Sequence, residues 1–170
     1  MSDTVDQATR SRIMARVSAR DTKPEFSLRR ALHARGLRYR LHVRGLSGTP
    51  DLVFPRFRAV CFVHGCFWHR HPGCPRTTDP ATRREFWQTK FRANVERDRR
   101  TRQELLEGGW RVAIVWECAL RAETAHLTAR ALDHWLRGRE REFETGLDPS
   151  LTAGGKGTTD GPTPPDGETV

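Results

Sequence analysis

The sequence predicts an α/β fold, a mixed β-sheet flanked by helices, and three observations carry that prediction. Residues 39–63 hold three short apolar or alternating segments separated by turn residues, the pattern of a meander. Residues 83–107 contain no helix breaker and place Trp87, Phe91 and Val95 four apart, long enough to cross over a sheet. Residues 111–116 then return to an apolar strand, so strands stand on both sides of the long helix.

Residues 8–18 are basic with scattered apolar positions, Ile13, Met14 and Val17, and read as a short helix or arm. Thr22-Lys23-Pro24-Glu25 has the form of a capping box with proline in the first turn. The helix it opens should run to about Arg35, with Phe26, Leu28 and Leu32 inward, and end at Gly36. Tyr39, Leu41 and Val43 alternate with Arg38, Arg40 and His42, which describes a half-buried strand. A turn from Gly45 to Pro50 leads to Asp51 and the short strand 52–54, and Pro55-Arg56 turns the chain into the apolar run 59–63. The long helix 83–107 is stopped by Gly108-Gly109 and succeeded by a strand to Trp116 and a helix from about Ala119 to Arg137. From about Thr145 the chain is rich in Gly, Thr and Pro with almost no apolar side chains. Residues 1–20 are thus read as an arm, 21–144 as one folded domain and 145–170 as a disordered tail.

Net charge is +9, and 27 of the 30 basic residues are Arg. Residues 148–170 contribute −3, which leaves +12 on residues 1–147. Planar guanidinium groups suit bidentate phosphate contact, so the balance points to nucleic acid more than to an acidic small molecule. No apolar run approaches the length of a membrane span, and no signal-peptide core stands at the N-terminus. The expectation is a cytoplasmic protein without a membrane partner.

The segment from Phe62 to Cys74 packs two Cys, three His and three large aromatics at and behind the end of an apolar strand. Cys66-x4-His71-x2-Cys74 supplies three ligands suited to tetrahedral zinc, and Cys118 can supply the fourth. His69 competes with His71 for the imidazole position. Four Cys with three at ligand-like spacing indicate metal binding in a reducing compartment, and Cys61, inside a strand, is a buried free thiol. The set leaves His64 and one neighbouring His free for proton transfer. Asp51 opens a strand beside the one that ends at His64, where a carboxylate can hold Mg²⁺ or merely close the Gly48-Thr49-Pro50 turn.

Six segments together resemble the very short patch repair (Vsr) mismatch endonucleases. They are Ala8–Ser11, Gly48-x-Pro50-Asp51, His64–His69, Asn94–Arg100, Gly109–Val112 and Val115–Arg121, in the family's order and covering residues 6–137. The resemblance implies a restriction-endonuclease-like fold, with residues 21–144 as the endonuclease domain and 1–20 as a DNA-contacting arm. It implies a Mg²⁺-dependent hydrolase that nicks double-stranded DNA 5′ to the thymine of a T·G mismatch, the product of 5-methylcytosine deamination. Carried over residue by residue, Asp51 is the principal Mg²⁺ ligand, with two ions at the scissile phosphate. The backbone carbonyl of Val63 is a further ligand, at a position where the family often has Thr.

By the same resemblance His69 activates water, and His64 serves the phosphate or the leaving group. Glu25 is a matched active-site position, although the capping box alone also accounts for it. One structural zinc is held by Cys66, His71, Cys74 and Cys118, with one residue more between the second and third ligands than is common. Phe67, Trp68 and Trp87 match the aromatic wedge that enters the duplex beside the mismatch, and Met14 matches an insertion from the other groove. Trp87 also fits as a core residue of the long helix. Lys90 and Asn94 match base- or phosphate-contacting positions. The implied protein is a monomer that works with a cytosine-5 methyltransferase and with mismatch-repair proteins. Two other readings use the same residues: a zinc-stabilised DNA-binding module without catalysis, and a hydrolase whose zinc is itself catalytic.

Overall fold

A five-stranded mixed sheet carries the domain in the computed structural model, which describes residues 21–146. The strands lie side by side in chain order: β1 (Arg40–Leu41), β2 (Leu52–Phe54), β3 (Ala59–His64), β4 (Arg111–Trp116) and β5 (Glu142–Glu144). Among the described residues four helices accompany them: α1 (Lys23–Ala34), α2 (Cys66–His69), α3 (Arg84–Glu107) and α4 (Ala125–Arg137). The meander β1-β2-β3 is antiparallel, with Leu52 opposite Cys61 and Phe54 opposite Ala59. Helix α3 then returns the chain so that β4 runs parallel to β3, pairing Val63 with Val115 and His64 with Trp116. Helix α4 makes the second crossover, to β5.

Period-two alternation divides the core. Leu52, Phe54, Cys61, Ala113 and Val115 face α1 and α4 and meet Leu28, Leu32, Leu132 and Leu136. Val53, Val60 and Val112 point to the other face and meet Leu105 of α3. Each fully buried Leu or Val contributes about 1.5–3 kcal/mol, so both faces stabilise the sheet. A third cluster, Cys66, Cys74, Trp116 and Cys118, closes the end where β3 and β4 both finish.

Local chemistry explains the boundaries. The Glu25 carboxylate accepts from the Thr22 N–H and hydroxyl at 3.2 and 2.8 Å, which starts α1. Gly36, at φ 79°, ends it with bonds from Gly36 N to His33 O and from Leu37 N to Leu32 O. The turn before Asp51 packs so tightly on α3 that a Cβ at Gly48 would lie 2.4 Å from Thr101 Cγ2, and φ there is 69°. Glycine is required at that position.

Several expectations are corrected. Phe26 is 52% exposed and sits beside the Arg29 guanidinium instead of the core. The first strand has only two residues and Leu41 is exposed, because His42 takes φ 45° and breaks the extended run. On α3, Phe91 is buried but Val95 is exposed. The last helix begins at Ala125; Glu117–Leu120 forms a 3-10 turn that buries Ala119 and Leu120 first. Strand β5 is not among the expected elements, and Thr145, expected in the tail, is buried and its hydroxyl accepts from Trp116 N at 2.9 Å. The rest of the tail, the arm and Met14 lie outside the described residues. Among the described residues no helix is long and apolar enough to cross a membrane.

Candidate active site and metal centre

An open cleft of about 700 Å³ lies over the C-terminal end of β3, between α3 and the start of α1. Glu25, Asp51, Val63, His64, Trp68, His69 and Asn94 line it, so seven of the sequence-predicted positions converge there. Phe67, Trp87 and Lys90 lie to one side, on the outer surface formed by α2 and α3.

Asp51 precedes β2, and β2 runs beside β3. Its Oδ2 accepts from the Val63 N–H at 2.7 Å, so the carboxylate reaches across the strand pair and does not close its own turn. N–H and C=O of one strand residue point to the same side, which turns the Val63 carbonyl toward Asp51 as well. A carboxylate and a main-chain carbonyl on one side fit a hard cation that uses few protein ligands. Burial pushes the Asp51 carboxyl up to about 6; the Val63 N–H opposes this, and the charge of Glu25 adds to it. The group is ionised at neutral pH.

His64 and His69 stack with ring centroids 3.9 Å apart and planes 8° from parallel. His69 Nδ1 lies 2.5 Å from Asp98 Oδ2. Burial would raise the Asp98 carboxyl, but the hydrogen bond to His69, with the charges of His69, His64 and Arg97, holds it below its usual value. An ionised Asp98 accepts from Nδ1–H, so whenever the His69 ring is neutral its lone pair lies on Nε2. Burial, reinforced by His69, pushes His64 down to about 3, and it remains a neutral imidazole. Asp98 is the one member of this array that the sequence does not single out.

Glu25 is buried and spends its oxygens on four donors: Asp21 N, Thr22 N, the Thr22 hydroxyl and Arg29 Nη2. It is therefore a capping residue that also forms part of the cleft wall. Asp21, Glu25 and His42 converge closely enough to hold a cation, but Arg29 contacts both carboxylates at 2.6 and 2.7 Å and supplies that charge itself.

The Cys66, His71, Cys74 and Cys118 ligand atoms lie within 4.8 Å of one another, and all four residues are buried. His71 Nδ1 is 3.6 Å from Cys66 Sγ and 3.4 Å from Cys118 Sγ. Tetrahedral zinc with ordinary Zn–S and Zn–N bonds requires an S···N edge of about 3.5 Å, so the donors fit the ion. Burial holds the Cys66 and Cys118 thiols above their usual range and His71 below its own. The competition between the two histidines is settled by Arg70 at φ 58°, which turns the chain so that His71 enters this group while His69 faces Asp98. Glu117 accepts from Cys66 N at 3.1 Å and fastens the loop to the turn after β4.

At the edge of the cleft, Phe67, Trp68, Trp87 and Phe91 form an aromatic cluster of edge-on, tilted and stacked contacts with centroids 5.1–5.9 Å apart. Phe67, Trp68 and Trp87 are only half-buried in it. Lys90 Nζ stands 5.4 Å from the Trp68 ring, and Asn94 donates to the Trp68 carbonyl at 3.2 Å. In this structure Asn94 therefore holds Trp68 in place.

Known proteins share this chain's sequence over most of its length. The family described as DNA mismatch endonuclease Vsr matches residues 2–75. The chain is 47% identical over 141 residues to a DNA mismatch endonuclease Vsr of Escherichia coli strain K12, covering 81% of this chain and 90% of that protein. It is 47% identical over 120 residues to the type II nicking enzyme V.XorIIP of Xanthomonas oryzae pv. oryzae, covering 71% and 88% respectively. With the type II nicking enzyme V.NmeAIP of Neisseria meningitidis it shares 37% identity over 121 residues, covering 71% and 86%.

Proposed function

This chain belongs to the DNA mismatch endonuclease Vsr family, and from that premise we propose that it nicks duplex DNA 5′ to the thymine of a T·G mismatch. Its relatives are named as endonucleases and nicking enzymes, which supports a DNA nuclease in mismatch repair. The restriction-endonuclease-like fold is part of the same reading.

The observation that carries the reaction is the Asp98–His69–His64 array in the same cleft as Asp51. Asp51 and the Val63 carbonyl would hold Mg²⁺. When bound, that ion, as one of a pair, neutralises charge at the scissile phosphate and makes water easier to deprotonate. Asp98 fixes the His69 tautomer, so Nε2 takes the proton from the attacking water. His64, kept neutral by burial, donates one N–H to a phosphate or leaving-group oxygen. The Cys66, His71, Cys74 and Cys118 set would hold one zinc with no open position, a structural role. A closed site of this kind gives zinc no access to substrate, and a mere DNA-binding module has no use for an oriented imidazole base.

The substrate arises when a 5-methylcytosine deaminates, so the enzyme acts downstream of a cytosine-5 methyltransferase and hands its nick to mismatch-repair proteins. It does so as a cytoplasmic monomer. The test is incubation with Mg²⁺ and end-labelled duplexes carrying T·G in randomised flanks, with matched C·G controls. A single break 5′ to the mispaired T is expected. Binding to T·G without any break, at full Mg²⁺ and zinc loading, would establish the module without catalysis instead.

A further inference from the structure

Trp116 lies between the metal centre and the histidine pair. The flat face of its indole stacks on His71, with centroids 4.2 Å apart and planes 6° from parallel. With His64 the indole makes an edge-to-face contact, the centroids 5.3 Å apart and the planes at 70°. His64 stacks in turn on His69, which is held by Asp98. One line of ring contacts therefore runs from a metal ligand to the catalytic base.

The indole is itself fixed. It is 5% exposed, its Nε1–H donates to Glu144 Oε1 at 2.9 Å, and its main-chain N–H donates to Thr145 Oγ1 at 2.9 Å. His64 and Trp116 are also register partners on β3 and β4, so the strands bring their side chains to the same end. A ring gripped on three sides transmits displacement of any one of them, because close-packed interiors deform little. His71, by contrast, is carried by the loop 70–74, and its position depends on the four-ligand set being closed.

We propose that Trp116 is a positioning residue that sets the ring plane of His64 and makes the geometry of the histidine pair depend on metal occupancy at Cys66, His71, Cys74 and Cys118. The inference rests on the zinc and active-site reading above. It assigns the metal centre a second consequence beyond holding the loop: loss of zinc misaligns catalysis before it unfolds the domain. A Trp serving only as core filler would leave the response of His64 to the metal unchanged when the indole is removed.

The test uses the full chain with isotope-labelled histidine. The His64 imidazole resonance is followed while zinc is added to metal-free protein, and kcat and KM for nicking are measured separately. In the wild type the resonance should move as one zinc per chain is taken up. Trp116→Leu should still bind one zinc, but its His64 resonance should not respond. Its kcat should fall by about 10- to 100-fold with KM nearly unchanged, the loss typical of a misplaced reacting group. Trp116→Phe, which keeps a flat ring in the stack, should recover most of kcat. Zinc uptake with an unresponsive wild-type His64, or Trp116→Leu with wild-type kcat, overturns the proposal and leaves the zinc site standing. A wild type that binds no zinc overturns both. If Trp116→Leu does not fold, Glu144→Ala decides: freeing the indole N–H should displace the His64 resonance and lower kcat about threefold, and wild-type behaviour in both would overturn the proposal.

Discussion

Asp51 is the residue at which function opposes stability. Its carboxyl moves from 3.8 up to about 6, chiefly through burial. Between those values the folded chain holds a proton that the unfolded chain has released, so this group favours folding at low pH. That contribution is lost as pH rises through about 6. His64 works in the opposite sense. Below 6.5 the unfolded chain binds a proton that the folded chain, with His64 down to about 3, refuses, and stability falls as pH drops through this range. Over about pH 4–6 the two slopes offset, and the wild-type profile hides both. Asp51→Asn removes one of them. Without added Mg²⁺ it should be more stable than wild type at pH 8 by about 1–3 kcal/mol, with the difference gone by pH 4. Nicking should be abolished. Thermal melts across that pH range and a nicking assay check it; equal melting at pH 8 would mean that the carboxylate is not desolvated. Asp51 and the Cys/His loop are legible from sequence because their residue types are costly to bury without a purpose. Asp98 is not, since Arg97, Arg99 and Arg100 around it read as a solvated basic face. Its partner His69 lies 29 residues away, a contact made only by the fold.

At the scale of elements, the Cys66–His71–Cys74–Cys118 cluster joins the segment after β3 to the turn after β4. Cys66 begins α2 and Cys118 sits in the 3-10 turn after β4, while His71 and Cys74 come from the loop between α2 and α3. On the proposed zinc reading, removing one thiolate leaves three buried ligands without their ion. Cys118→Ala should therefore lower zinc content from near one per chain and destabilise the whole domain. Cys61→Ser should keep its zinc, because Cys61 lies within β3 against the α1–α4 core. Metal analysis of the purified variants with thermal melts decides the matter, and a zinc-free but equally stable wild type would remove the site. The elements with strong periodicity and punctuation, α1, α3, β3 and β4, are legible in the sequence. Strand β5 is not: Glu142-Phe143-Glu144 offers one apolar residue, and its pairing comes from β4. The start of α4 is misread from sequence because Ala119 is buried and Leu120 joins the same core from a 3-10 turn, and an apolar pattern does not distinguish the two backbones.

Across the whole molecule, two kinds of DNA contact separate by their chemistry. The net charge of +9, carried mainly by Arg, attracts any duplex and contributes a salt-dependent term blind to sequence. The half-buried cluster of Phe67, Trp68 and Trp87 beside the cleft can contribute only where a base step opens, and a mismatch opens more cheaply than a paired step. Trp68 is the best placed of the three, since its carbonyl is held by Asn94 and it also lines the cleft. Trp68→Ala should accordingly weaken discrimination between T·G and C·G duplexes more than it weakens binding to C·G. Base–aromatic stacking is worth about 1–3 kcal/mol, so discrimination should fall about tenfold or more. The salt slope should hardly change, because no phosphate contact is removed. Phe67 meets the Trp68 ring at 5.1 Å and can take over part of the stacking, so Phe67→Ala with Trp68→Ala should lose more than either alone. Binding and nicking on both duplexes across a salt series separate the terms. An equal loss on T·G and C·G would show that Trp68 only packs against Trp87, and the mismatch would then have to be sensed elsewhere.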